Sequence, residues 1–114
     1  MDTGDFWQVL DTLFATNQLV IDRPGGAAHP RYPESRYFLD YGYLVGTCTG
    51  DGEGIDVWVG TLPEKKINGV VCTVDLLKRD SELKLLLGCS REEMQLICSI
   101  HQLGTQSALL IERP

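Results

Sequence analysis

Asp51, Glu53 and Asp56 fall within six residues in the stretch DYGYLVGTCTGDGEGIDVWVG, at the entrance to an apolar run. Carboxylates this close repel one another unless a cation lies between them. The spacing therefore points either to a divalent-cation site or to a solvated acidic turn, D-G pairs being common in turns. An EF-hand is excluded, because a count from Asp51 puts Ile55 at the fifth loop position and Asp56, where glycine is needed, at the sixth. A second group of charged residues follows in LLKRDSELKLLL, where Asp80, Glu82 and Lys84 alternate along a strand-like segment.

Other chemistry is sparse. Cys48, Cys72, Cys89 and Cys98 form no C-x-x-C pair, and His29 and His101 stand far apart, so zinc-finger spacing is absent. The cysteines also lack a neighbouring His or Asp pattern for nucleophilic catalysis and read as reduced, structural thiols. His101 reads as a histidine at the edge of a core.

These residues belong to a chain of 114 residues, which is expected to form one domain over 1–114. With 43% apolar and 23% charged residues it is globular in composition. A formal net charge of −6 argues against a nucleic-acid partner, which attracts basic surfaces. Tyr41, Tyr43 and Trp58 would be the stacking residues if an oligonucleotide bound in spite of that charge. No segment has the length of a membrane span or the form of a secretory leader. The expectation is a cytoplasmic protein with no membrane partner.

The elements that must position the acids can be read from periodicity. Phe6, Val9, Leu10, Leu13 and Phe14 recur at helical spacing, which predicts a helix over residues 4–16 with Thr3 as cap, Asn17 as stop, and Phe6, Leu10 and Leu13 inward. Ser90 and Glu93 form a capping box ahead of Met94, Leu96, Ile97 and Ile100, and Gly104 marks the end of that helix. Between and beyond the helices lie QLVID, YFLDYGYLVGTC, GIDVWVG, NGVVCTVDLL, ELKLLLG and ALLIE, six short segments of strand character. In GIDVWVG, Ile55, Val57 and Val59 alternate with Asp56 and Trp58. The fold class expected is α+β and mainly β: a small, bent antiparallel barrel of the oligonucleotide-binding kind with one helix near each end.

The wider stretch resembles the soluble inorganic pyrophosphatases of barrel type. Their hallmark Y-G-[FY]-[IL] followed by D-G-D-P-[LIV]-D-V is similar to YGYL from Tyr41 and DGEGIDV from Asp51, ten residues apart in both. VIDRPGGAAHPRYP resembles a segment that carries a substrate-binding lysine, with Arg31 in its place, and the D-x-K of the second acidic cluster is matched around Asp80, Glu82 and Lys84. This chain departs from the pattern at Glu53, which replaces an aspartate, at Gly54 and Pro33, which replace a proline and a glutamate, and at Ile100 and His101, which replace a Tyr-Lys pair. The hairpin after RYP is shortened, leaving Arg36 as the substitute for a phosphate-binding arginine.

The resemblance implies hydrolysis of inorganic pyrophosphate by metal-activated water, with Mg²⁺ as cofactor and Mn²⁺ as an alternative. It implies Asp51, Glu53, Asp56, Asp80 and Glu82 as metal ligands, with Glu53 also accepting the proton of the attacking water. Arg31, Tyr41, Lys84 and Arg36 are implied as substrate-binding groups, and a homo-oligomer is left open. Surface lysines and arginines, and a half-buried strand tyrosine, are the plain alternatives for those four. The competing reading of the whole chain is a degenerate relative that keeps a cation site and acts as a binding or regulatory module without catalysis.

Overall fold

The computed structural model describes residues 4–28, 37–50 and 52–114. Thr3, Arg31, Pro33, Arg36 and Asp51 lie outside the described residues. The elements run α1 (Gly4–Ala15), β1 (Leu19–Arg23), β2 (Asp40–Leu44), β3 (Ile55–Val59), β4 (Ile67–Asp75), β5 (Asp80–Leu87), α2 (Arg91–Ile100) and β6 (Gln106–Glu112).

α1 stops where polar side chains take over its last carbonyls. Thr16 Oγ1 donates to the Thr12 carbonyl at 2.7 Å and Asn17 Nδ2 to that of Leu13 at 2.9 Å. Its inward face differs from the expected one at one position. Trp7 and Leu10 are buried, whereas Phe6 is 44% exposed, because the larger indole one residue on takes the place against the sheet. Arg113, just past β6, then clamps the helix: its guanidinium forms a two-pronged pair with the Asp11 carboxylate at 2.8 and 2.9 Å and lies over the Trp7 ring. α2 begins at the expected capping box, with the Glu93 amide donating to Ser90 Oγ and the Ser90 amide to Glu93 Oε1. It ends at Ile100, short of Gly104, and buries only Met94 and Ile97 of the expected stripe; Leu96 and Ile100 face outward.

Among the described residues six strands form one sheet in the order β1-β2-β3-β5-β4-β6. The mainly β class with a helix near each end is thus observed, and the sheet is mixed and open, with β1 and β6 at its edges, where a small, bent antiparallel barrel was expected. The physical reason lies in the β4–β5 hairpin. It docks on β3 through β5, making that pair parallel, and leaves β4 to receive β6. β5 is suited to this central place because Leu85, Leu86 and Leu87 are all buried, so both of its faces are covered.

Side chains alternate across the sheet and define two apolar layers. On one face Val57, Val70, Leu85 and Leu87 pack with Trp7 and Leu10 of α1. On the other Trp58, Val71 and Leu86 pack with Met94 and Ile97 of α2. Gly42 of β2 allows the close approach of β1, since a β-carbon there would run into the Val20 carbonyl.

Candidate active site

Three strands supply the polar cluster on the α2 face. Val57 of β3 is level with Leu85 of β5, so the residues just before them, Asp56 and Lys84, are neighbours across the parallel pair. Glu82 lies two residues back on β5 and shares the face of Lys84. Tyr41 of β2 is opposite Trp58. Lys84 Nζ donates to Asp56 Oδ2 at 2.8 Å, to Glu82 Oε2 at 3.2 Å and to the Tyr41 hydroxyl oxygen at 3.2 Å.

The lysine side chain is 7% exposed, those of Asp56 and Glu82 28% and 20%. The ammonium is therefore inside the fold, and the two carboxylates lead from it to solvent. Burial alone would favour neutral Lys84, but the Tyr41 oxygen and the Asp56 carboxylate outweigh it and raise the lysine pKa. The Tyr41 pKa is pushed upward as well, first by burial and further by the Asp56 carboxylate, against the pull of the Lys84 charge.

An aromatic wall stands beside this cluster. The Tyr41 and Trp58 ring centres are 4.6 Å apart, edge to face, and Tyr37 stacks on Tyr41 at 5.6 Å. Trp58 Nε1 donates to His101 Nε2 at 3.2 Å, and His101 Nδ1 faces Gln106 Oε1 at 3.4 Å. This arrangement suits a neutral imidazole with its proton on Nδ1. Burial, followed by the positive charge of Lys84, pulls the His101 pKa down to about 4, against the Gln106 hydrogen bond and the Asp56 charge. From the sequence, His101 was expected at the edge of a core and was not connected with Trp58. A signal was available in Trp58, which must share a strand face with Asp56 two residues earlier.

The structure thus gathers four of the expected site residues, Tyr41, Asp56, Glu82 and Lys84. Glu53 sits in the exposed loop before β3, where its backbone carbonyl accepts from the Thr49 amide at 2.7 Å. Asp80 stands opposite Asp75 at the start of β5, four residues from Lys84, or roughly 13 Å along the strand. Arg31, Arg36 and Asp51 lie outside the described residues. Among the described residues no three His, Cys, Asp or Glu side chains converge as a metal-binding group.

The mainly β sheet flanked by two helices is a fold of the inorganic pyrophosphatase type. In particular, the chain is similar in structure to an inorganic pyrophosphatase from Coxiella burnetii, with a TM-score of 0.56 and 16% sequence identity over 82% of each chain. No family model and no curated protein sequence matches it. Among the described residues no helix is long and apolar enough to cross a membrane.

Proposed function

We propose that this chain, as one domain over residues 1–114, hydrolyses inorganic pyrophosphate or a small phosphoanhydride of the same kind. The supporting observation is the convergence of Asp56, Glu82 and Tyr41, from three separate strands, on the Lys84 ammonium at 2.8–3.2 Å. The same residues carry the resemblance in sequence.

The donor chemistry fits Mg²⁺ or Mn²⁺. Mg²⁺ is held by one or two carboxylates, retains several waters and takes its remaining oxygens from substrate phosphate. Asp56 and Glu82 already direct oxygens toward a single positive charge, that of Lys84. They would hold the ion, with Asp51 as a further ligand and Asp80, two residues before Glu82 on the same face of β5, as another. Held there, the ion would supply Lewis acidity toward phosphoryl oxygens and acidify water. Lys84 Nζ would neutralise phosphate charge, the Tyr41 hydroxyl would donate a hydrogen bond to a phosphate oxygen, and the Glu53 carboxylate would take up a proton. The wall of Tyr37, Tyr41 and Trp58 would keep bulk water from the inner side of the cluster. A cytoplasmic setting, no nucleic-acid partner and an open oligomeric state belong to the same reading.

A second reading, a cation-binding or regulatory module without catalysis, is favoured by the position of Lys84 between the two carboxylates. Phosphate release from pyrophosphate, measured with Mg²⁺, with Mn²⁺ and with neither, separates the two. Metal-dependent release above background that is lost in Asp56→Asn supports the hydrolase; no release under any condition, from folded protein, leaves the module.

A further inference from the structure

The Lys84 ammonium stands where a cation shared by Asp56 and Glu82 would stand. We propose that Lys84 is a tethered counter-ion that holds this site closed against divalent cations until a phosphoanion draws the ammonium away, so that cation and anion binding are coupled through one side chain. The inference rests on the hydrolase reading and adds to it a rule for when the site accepts its ion.

Three observations carry it. Lys84 Nζ is 2.8 Å from Asp56 Oδ2 and 3.2 Å from Glu82 Oε2, so a divalent ion between those oxygens and the ammonium cannot be present together at these distances. The lysine stem is held inside the fold while both carboxylates reach solvent, so an arriving cation meets the carboxylates first and must displace a charge that stays attached. The Tyr41 hydroxyl, at 3.2 Å, is an uncharged partner that leaves Lys84 one hydrogen bond when the carboxylates are lost. A displaced ammonium close to a phosphoanion gains a new charged partner, and by linkage each ligand then favours the other.

The test is calorimetric titration of Mn²⁺ into substrate-free protein, with and without inorganic phosphate, for the wild type, Lys84→Met and Lys84→Met/Asp56→Asn. Lys84→Met is expected to bind Mn²⁺ at least about tenfold more tightly than the wild type, since a competing charge has gone. Adding Asp56→Asn reverses that gain. Phosphate is expected to tighten Mn²⁺ binding in the wild type and to do so less in Lys84→Met. Equal or weaker Mn²⁺ binding by Lys84→Met overturns the counter-ion, while metal-dependent phosphate release by the wild type would still uphold the hydrolase. Absence of Mn²⁺ binding in both proteins, with no phosphate release, overturns both. Should Lys84→Met fail to fold, wild-type protein decides by mass-spectrometric mapping of an amine-reactive label. Lys84 is expected to be protected without Mn²⁺ and labelled at least about fivefold faster with Mn²⁺ and phosphate, as the two carboxylates release its ammonium. Labelling of Lys84 that does not change overturns the proposal.

Discussion

Lys84 Nζ lies 2.8 Å from Asp56 Oδ2 across the parallel β3–β5 pair, with the two residues 28 positions apart in the chain. Neither residue has the other as a local neighbour, and removing either leaves a charge partly buried. Asp56→Asn and Glu82→Gln are each expected to lower pyrophosphate hydrolysis by about two orders of magnitude or more. Lys84→Ala is expected to act mainly on KM if its ammonium binds phosphate. Steady-state phosphate release checks both, with circular dichroism to confirm folding; full activity in Asp56→Asn would remove the carboxylate from the site.

Binding of a divalent ion to the folded state alone stabilises it by mass action, by about 2.7 kcal/mol at a hundredfold excess over Kd. With inorganic phosphate present, the melting temperature is expected to rise with Mg²⁺ or Mn²⁺ at millimolar concentration in the wild type and to stay flat in Asp56→Asn. Indifference of both proteins to the ions would count against the metal site.

His101 gives the stability a pH dependence of known sign. Its folded pKa of about 4 lies below the ordinary 6.5, so between these values the unfolded chain binds a proton that the folded chain refuses. The stability that depends on neutral His101 is complete above pH 6.5 and is lost as pH falls toward 4. The loss is at most about 3 kcal/mol. Denaturant titrations at pH 7 and 4.5 should show the fall, and His101→Gln should flatten it; an equally steep fall in the variant would assign the effect to other groups.

Arg113 is expected to fasten α1. Arg113→Ala removes the pair with Asp11, the hydrogen bond to the Ile67 carbonyl at 3.0 Å and the contact with Trp7. The Asp11 side chain is 39% exposed, so solvent screening limits the loss to about 1–2 kcal/mol. Amide exchange should quicken in α1 more than in α2. Uniform quickening would show that the clamp serves the whole fold.

Gly42→Ala tests the backbone inside the YGYL motif. Its new methyl group meets the Val20 carbonyl, so β1 must shift, at a cost of about 3 kcal/mol or more. A denaturation midpoint within error of the wild type would show that β1 is free to move aside.

Much of the fold was legible because it is local. Ser90 and Glu93 announce α2 through a capping box that needs only four residues, and the spacing of YGYL and DGEGIDV marks two adjacent strands. Phe6 was expected inward because periodicity alone does not rank two neighbouring aromatics; the fit of the Trp7 indole against the sheet does. The length of α2 was overread for a similar reason, since Gly104 can end a turn as well as a helix. Asp56, Glu82, Lys84 and Tyr41 were singled out as candidates by pattern, but the pattern carried no information on who would touch whom.

The sequence by itself determined the alternation that puts Asp56 on the face of Trp58 and Glu82 on the face of Lys84, because side-chain direction along a strand has a period of two. Tertiary structure decided that β5, and not β4, would lie against β3. Strand edges offer the same backbone groups whatever their sequence, and both strands bury side chains on both faces, Val70 and Val71 on β4 and Leu85 and Leu86 on β5, so the local pattern does not choose between them. From that one pairing follows the contact of Lys84 with Asp56, and with it an internal positive charge between two carboxylates that no local reading of DSELK reveals.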